Sequence, residues 1–212
     1  MITKVAVIDL SINNIKSIIR SLEILNFNVN VFSQKFNVNE FDLIVLPGVG
    51  SFGEGVNALK KNGLIESIND AIKKDKKILG ICLGMQLLLS DSEEFGYTLG
   101  LDLITGNVKN FSKEIEAKKI NIGWQKIELN KLLKDNLFYN YVEANNLLDS
   151  YYYFVHSFYA KNIEKKNILA TTRNYNFNFP SIIVKKNIFG FQFHPEKSGE
   201  SGLKLLRFFL KN

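Results

Sequence analysis

The chain holds one cysteine and two histidines among 212 residues, so nucleophilic or acid–base chemistry built on them has few places to occur. Cys82 sits in Leu79-Gly80-Ile81-Cys82-Leu83-Gly84-Met85-Gln86-Leu87-Leu88, with a glycine two positions away on either side. An apolar run enters the cysteine and an apolar-periodic segment leaves it. This is the pattern of a nucleophile elbow, a tight strand-to-helix turn that exposes one side chain while glycines let neighbouring backbone come close. At a helix N-terminus the sulfur meets the positive end of the macrodipole, which favours the thiolate. The N–H of Leu83 is then free to point at a developing oxyanion. The plain alternative is a small buried hydrophobe at a strand end, as most free cysteines are.

A thiol needs a base, and the base needs a group that fixes its tautomer. His194 lies in Gly190-Phe191-Gln192-Phe193-His194-Pro195-Glu196-Lys197-Ser198-Gly199, at the end of an expected strand. Pro195 pushes His194 into an extended conformation. Residues i and i+2 of an extended segment point to the same side, so His194 and Glu196 can aim at one place. His156, in Tyr153-Phe154-Val155-His156-Ser157-Phe158, is the competing base, but inside an aromatic strand it reads as a hydrogen-bonded core or pocket-wall histidine.

Cys82 and His194 can meet only if the elements before them end at one rim. Val5 to Leu10 reads as a buried strand, followed by a helix with Asn13 as its cap and Ile15, Ile18, Ile19, Leu22 and Leu25 at helical spacing. Asn28 to Phe32 alternates as a half-buried strand does. Asp42 to Leu46 is a buried strand that Pro47-Gly48 should stop, a helix follows around Leu64 to Lys73, and Lys77 to Cys82 is a fourth strand. This rhythm predicts a doubly wound, mostly parallel α/β sheet, whose sites lie at the carboxyl ends of the strands. In the second half Trp124 to Leu129, Tyr151 to Phe158, Ile168 to Thr172, Ser181 to Lys185 and Asn187 to Phe193 read as closely spaced strands, hence antiparallel additions. Ser201 to Leu210 reads as an amphipathic helix with Leu203, Leu206, Phe209 and Leu210 on one side. Without a linker or repeat, residues 1–212 are expected to form a single domain.

The bulk numbers exclude several classes. Hydrophobic residues at 46% and charged residues at 23% fit a soluble globular protein. No apolar run approaches the roughly 20 residues of a membrane span. The N-terminal run is broken too early by Asp9 for a secretory signal, and a single cysteine permits no internal disulfide, so the reducing cytosol is the expected compartment. The net charge of +6 comes from scattered lysine pairs such as Lys60-Lys61, Lys118-Lys119 and Lys185-Lys186. Nucleic-acid binders concentrate such charge on one stripe, so no nucleic-acid or membrane partner is expected. A basic face can still attract a phosphorylated substrate or an acidic partner.

Together these motifs resemble the class I (triad) glutamine amidotransferases. Within them, essentially the whole chain is similar to the glutaminase subunits of imidazole glycerol phosphate synthases. Leu46-Pro47-Gly48-Val49-Gly50-Ser51-Phe52-Gly53 resembles that family's oxyanion strand, His156-Ser157 its substrate-pocket strand, and His194-Pro195-Glu196-Lys197-Ser198-Gly199 its C-terminal signature. The resemblance implies Cys82 as nucleophile, His194 as general base and acid, and Glu196 as orienter. It further implies an oxyanion hole from the backbone at Val49 and Leu83, and a glutamine site including Gly48, Gln86, Glu94, His156 and Ser157. The implied reaction passes through a γ-glutamyl thioester, releasing ammonia and then glutamate, with no metal or organic cofactor. The implied partner is a (β/α)8-barrel cyclase subunit, in a heterodimer that uses the ammonia to make imidazole glycerol phosphate in histidine biosynthesis.

Two segments depart from that family. Where it usually shows Asp-Tyr-Gly-x-Gly-Asn, this chain has Asp9-Leu10-Ser11-Ile12-Asn13-Asn14. Where it shows Pro-His-x-Gly-Trp-Asn, this chain has Ile120-Asn121-Ile122-Gly123-Trp124-Gln125. Both lie toward the partner in relatives, so a paralogue supplying ammonia for amidation of a surface or flagellar sugar is an alternative. A free-standing γ-glutamyl hydrolase and a non-catalytic module of the same fold are others.

Overall fold

Apolar runs in the first half become the centre of a parallel sheet. The computed structural model describes residues 3–11, 15–113, 120–174 and 176–211. Strand β1 (Lys4–Ile8) is followed by helix α1 (Lys16–Ile24), β2 (Asn28–Phe32), β3 (Leu43–Gly48), helices α2 (Phe52–Lys61) and α3 (Leu64–Lys73), β4 (Lys77–Cys82) and α4 (Leu83–Leu87). Val5–Ile8 and Leu43–Leu46 are buried on both faces, the signature of parallel strands covered by helices on each side. The alternation inside β1 sorts the core. Val5 and Val7 face Ile18 and Leu22 of α1, whereas Ala6 and Ile8 belong with Val56 and Leu59 of α2 and Ile68 of α3.

Short strands β5 (Asp91–Ser92), β6 (Thr98–Leu99) and β7 (Asn107–Asn110) come next, then β8 (Asn121–Gln125) and β9 (Glu128–Leu129). Helix α5 (Leu137–Ala144) precedes β10 (Tyr152–His156), β11 (Phe158–Lys161), β12 (Ile168–Asn174), β13 (Phe177–Lys185) and β14 (Ile188–Phe191). Helix α6 (Gly199–Lys211) closes the described chain. Among the described residues eight strands hydrogen-bond in the order β2-β1-β3-β4-β14-β13-β12-β9. Pairing is parallel from β2 to β14 and antiparallel from β14 to β9, so β14 brings the chain back beside β4 in parallel register, Phe191 opposite Ile81. The mostly parallel sheet with antiparallel additions is therefore as expected. Strands β8 and β10 form a separate antiparallel pair, and β11-β7-β5-β6 a third sheet.

Several elements differ from the sequence expectation. Strand β3 runs through Pro47 and Gly48, in register with Ile81 and Cys82, because pairing with β1 has ended at Val45 and the missing proline N–H interrupts no ladder there. The segment Trp124–Leu129 divides into β8 and β9, which join different sheets. The segment Tyr151–Phe158 is cut at Ser157, where the chain leaves its pairing with β8 and begins pairing with β7. Helices α2 and α5 were not expected. Asn13, Lys118 and Lys119, and the side chains of Phe209 and Leu210, lie outside the described residues. No helix among the described residues is long and apolar enough to cross a membrane.

Candidate active site

The elbow at Cys82 is enforced by backbone proximity. Cys82 has φ 54° and ψ −109°, a conformation a residue with a side chain adopts only when its surroundings impose it, at a cost of order 1–3 kcal/mol. The five-residue helix α4 lies so close to the sheet that a Cβ on Gly84 would fall 1.7 Å from the carbonyl oxygen of Leu46. A Cβ on Gly80 would stand 2.6 Å from that of Gly84. The flanking glycines thus allow β3, β4 and α4 to touch and aim the sulfur outward. The N–H of Leu83 opens α4, where no preceding turn provides an acceptor.

His194 is fastened to the neighbouring pocket strand. Its backbone N–H donates to Tyr153 O at 2.8 Å, its carbonyl accepts from Ser198 Oγ at 2.6 Å, and that oxygen accepts from Tyr153 N–H at 3.0 Å. The turn Pro195–Lys197 then returns Glu196 under the ring, where Oε1 accepts from His194 Nδ1 at 2.7 Å. Both side chains are more than nine-tenths buried. Nδ1 being occupied, His194 presents Nε2, a buried atom with no hydrogen-bond partner of ordinary geometry, toward Cys82. Burial works against a charged ring here. Negative charge at Cys82 and then the Glu196 carboxylate outweigh it, so His194 holds its proton well above the usual imidazole range.

A cavity of about 230 Å³ opens over the sulfur, lined by Val49, Leu83, Gln86, Glu94, His156 and Ser157 among others. Of the residues singled out for a glutamine site, Gly48 is the exception. It is paired with Cys82 and lines a cavity of about 20 Å³ behind the triad, together with His194 and Glu196. Val49 stands between the last residue of β3 and Gly50, whose φ is 123°. Glu94 accepts from Phe52 N–H at 2.7 Å and so ties the pocket to the start of α2. Burial raises its pKa, the Phe52 N–H pulls the other way, and Glu54 adds to the rise.

His156 is a pocket-wall residue with both ring nitrogens satisfied. Nδ1 donates to Phe158 O at 2.7 Å and Nε2 accepts from Asn121 Nδ2 at 2.8 Å. Complete burial pushes its pKa down to about 3, so the ring is neutral and cannot serve as a base at ordinary pH. Gln192 escaped the sequence reading. It is fully buried beside the sulfur, yet an amide in an aromatic strand carries no signal of such a place. The assembled groups suit attack of sulfur on a carbonyl, with proton transfer through His194 to the leaving group.

The family model described as glutamine amidotransferase class-I matches residues 6–212. The chain is 38% identical over 205 residues to "Imidazole glycerol phosphate synthase subunit HisH" of Chlorobaculum tepidum, covering 97% of this chain and 98% of that protein. It is 42% identical over 212 residues to subunit HisH 1 of Methanococcus maripaludis, covering 98% of each. Among solved structures, PurLQS from Thermotoga maritima superposes with a TM-score of 0.75 at 20% identity, over 99% of this chain and 98% of that one. A crystal structure of a glutamine amidotransferase gives 0.73 at 15% identity, over 98% and 97%. At these identities the structural likeness shows the fold.

Proposed function

The chain belongs to the class I glutamine amidotransferases, and from that premise we propose that it is the glutaminase subunit of an imidazole glycerol phosphate synthase in histidine biosynthesis. The observation that carries the reading is near-full-length identity of 36–42% to proteins bearing that subunit name, joined to a Cys82–His194–Glu196 arrangement beneath a pocket of amino-acid size. The whole chain acts as one glutaminase domain in the cytoplasm. Its partner is a (β/α)8-barrel cyclase, which takes up the ammonia.

Glutamine enters with its side-chain amide over Cys82 and its amino group toward the Glu94 carboxylate. The sulfur attacks the amide carbon, and the oxyanion takes hydrogen bonds from the Leu83 N–H and, once Gly50 lets the preceding peptide turn, from the backbone at Val49. His194 protonates the departing nitrogen from Nε2, releasing ammonia and leaving a γ-glutamyl thioester. Water, deprotonated by the same nitrogen, then frees glutamate and restores the thiolate–imidazolium pair. Glu196 keeps the ring in the tautomer that both steps require.

The test is copurification with the candidate barrel cyclase, followed by an assay of glutamine-dependent imidazole glycerol phosphate formation. Turnover should be abolished by Cys82→Ala and by His194→Ala. A pair that binds but makes no imidazole glycerol phosphate would point to the paralogue amidating a sugar. Turnover that survives both substitutions would end the reading altogether.

A further inference from the structure

We propose that Gln192 is a positioning residue for the nucleophile, its side-chain amide donating to the Cys82 sulfur and favouring the sulfur's ionised form. The role rests on Cys82 being the nucleophile of the glutaminase proposed above.

Besides its pairing with His194, the sulfur has two contacts at hydrogen-bonding distance among the described residues. The Gln192 Nε2–H donates to Sγ at 3.9 Å, and the S–H donates to Val155 O at 3.9 Å. They favour opposite protonation states: a carbonyl oxygen suits the thiol and repels a thiolate, whereas an amide N–H suits the thiolate. The balance therefore depends on which end of the Gln192 amide faces Sγ. That orientation is fixed from behind, because Gln192 Oε1 accepts from Gln86 Nε2 at 3.1 Å. Gln86 Nε2 is in turn held by Phe158 O at 3.0 Å, the same carbonyl that accepts from His156 Nδ1. A flipped Gln192 would set a carbonyl against the sulfur and an amino group against an amino group. The backbone N–H of Gln192 donates to Ser181 O at 3.0 Å, which fixes the depth from which the side chain reaches. The side chain is fully buried, so no water competes for its donor.

The titratable groups facing the sulfur are His194, with Glu196 behind it, and Glu94 and His156 around the pocket. Substitutions at Gln192 leave all four in place. Gln192→Leu and Gln192→Met both remove the polar head and add no titratable group. The readout is the rate of Cys82 alkylation by iodoacetamide in the full chain as a function of pH, without glutamine. The midpoint of the profile is expected to move up by about one pH unit in both variants, with the circular dichroism unchanged. Folded variants whose profiles coincide with the unsubstituted chain's overturn the proposal.

Should neither variant fold, the unsubstituted chain answers by NMR. The Gln192 side-chain amide resonance is expected to shift in step with sulfur ionisation and again on alkylation, and indifference to both overturns the assignment. Since the reagent is not glutamine, failure here leaves the glutaminase reading standing. That reading fails separately, through turnover that outlasts Cys82→Ala.

Discussion

Glu196 holds His194 by a 2.7 Å hydrogen bond to Nδ1, and both side chains are buried, so the far nitrogen of the ring is the one left for chemistry. Glu196→Gln offers a neutral amide in place of that acceptor. Turnover of glutamine with the partner should fall roughly a hundredfold or more, because the imidazolium loses its counter-charge and the tautomer is no longer enforced. The His194 proton, held up by Cys82 and Glu196, should also be released at lower pH in Glu196→Gln and in Cys82→Ser, as NMR titration of the ring reports. If the ring titrates alike in all three proteins, the electrostatic account of the triad is wrong.

The second histidine gives a prediction of opposite sign. Burial lowers the His156 pKa from 6.5 to about 3, so in this window the unfolded chain binds a proton that the folded chain refuses. Its contribution is constant above pH 6.5 and is lost as pH falls toward 3. Between pH 7 and pH 5 the loss from this one group is about 2 kcal/mol. Urea unfolding at the two pH values should show that loss in the unsubstituted chain and a smaller one, by about that amount, in His156→Gln. Equal losses would mean that the ring is not held neutral.

Gly84→Ala tests the elbow itself. The added methyl would fall 1.7 Å from a backbone oxygen that belongs to a central strand and cannot retreat. A loss of roughly 3 kcal/mol or more in denaturant unfolding is expected, with Cys82 alkylation slowed in whatever folds. A variant as stable as the parent would show that α4 does not sit where described.

Glu94→Gln should act on binding and leave chemistry nearly intact. An ammonium–carboxylate contact is worth roughly 1.5–3 kcal/mol, so KM for glutamine should rise about tenfold or more with kcat little changed. Because burial already raises the Glu94 pKa, the unsubstituted enzyme should begin to lose glutamine affinity on acidification at a higher pH than an ordinary glutamate allows. An unchanged KM would remove Glu94 from the site.

What the sequence disclosed and what it hid have physical causes. Parallel strands buried on both faces are unbroken apolar runs, so β1, β3 and β4 stand out. The glycines around Cys82 announce a close backbone approach, and His194-Pro195-Glu196 announces its shared side through the period of an extended chain. Helix α2 was hidden because Gly53 and Gly55 weaken a pattern that rests on Phe52, Val56 and Leu59 alone. The break at Ser157 was hidden because Tyr152, Phe154 and Tyr159 are all buried, and a run of aromatics does not reveal that its two halves join different sheets. Val49, Gln86, Glu94, His156 and Ser157 meet in one cavity, whereas Gly48 is still held in the ladder opposite Cys82, and the chain reaches the cavity only at the next residue, Val49.

The cut at Ser157 makes the wall of the pocket a seam. Upstream of it the backbone is anchored to β8, whose Ile122 and Trp124 are exposed, and downstream to β7. The carbonyls of Val155 and Phe158 flank this seam, one touching the sulfur and the other accepting from the amide of Gln86. Exposed Ile122 lies directly opposite Val155, so a single residue of continuous chain separates that open face from the sulfur.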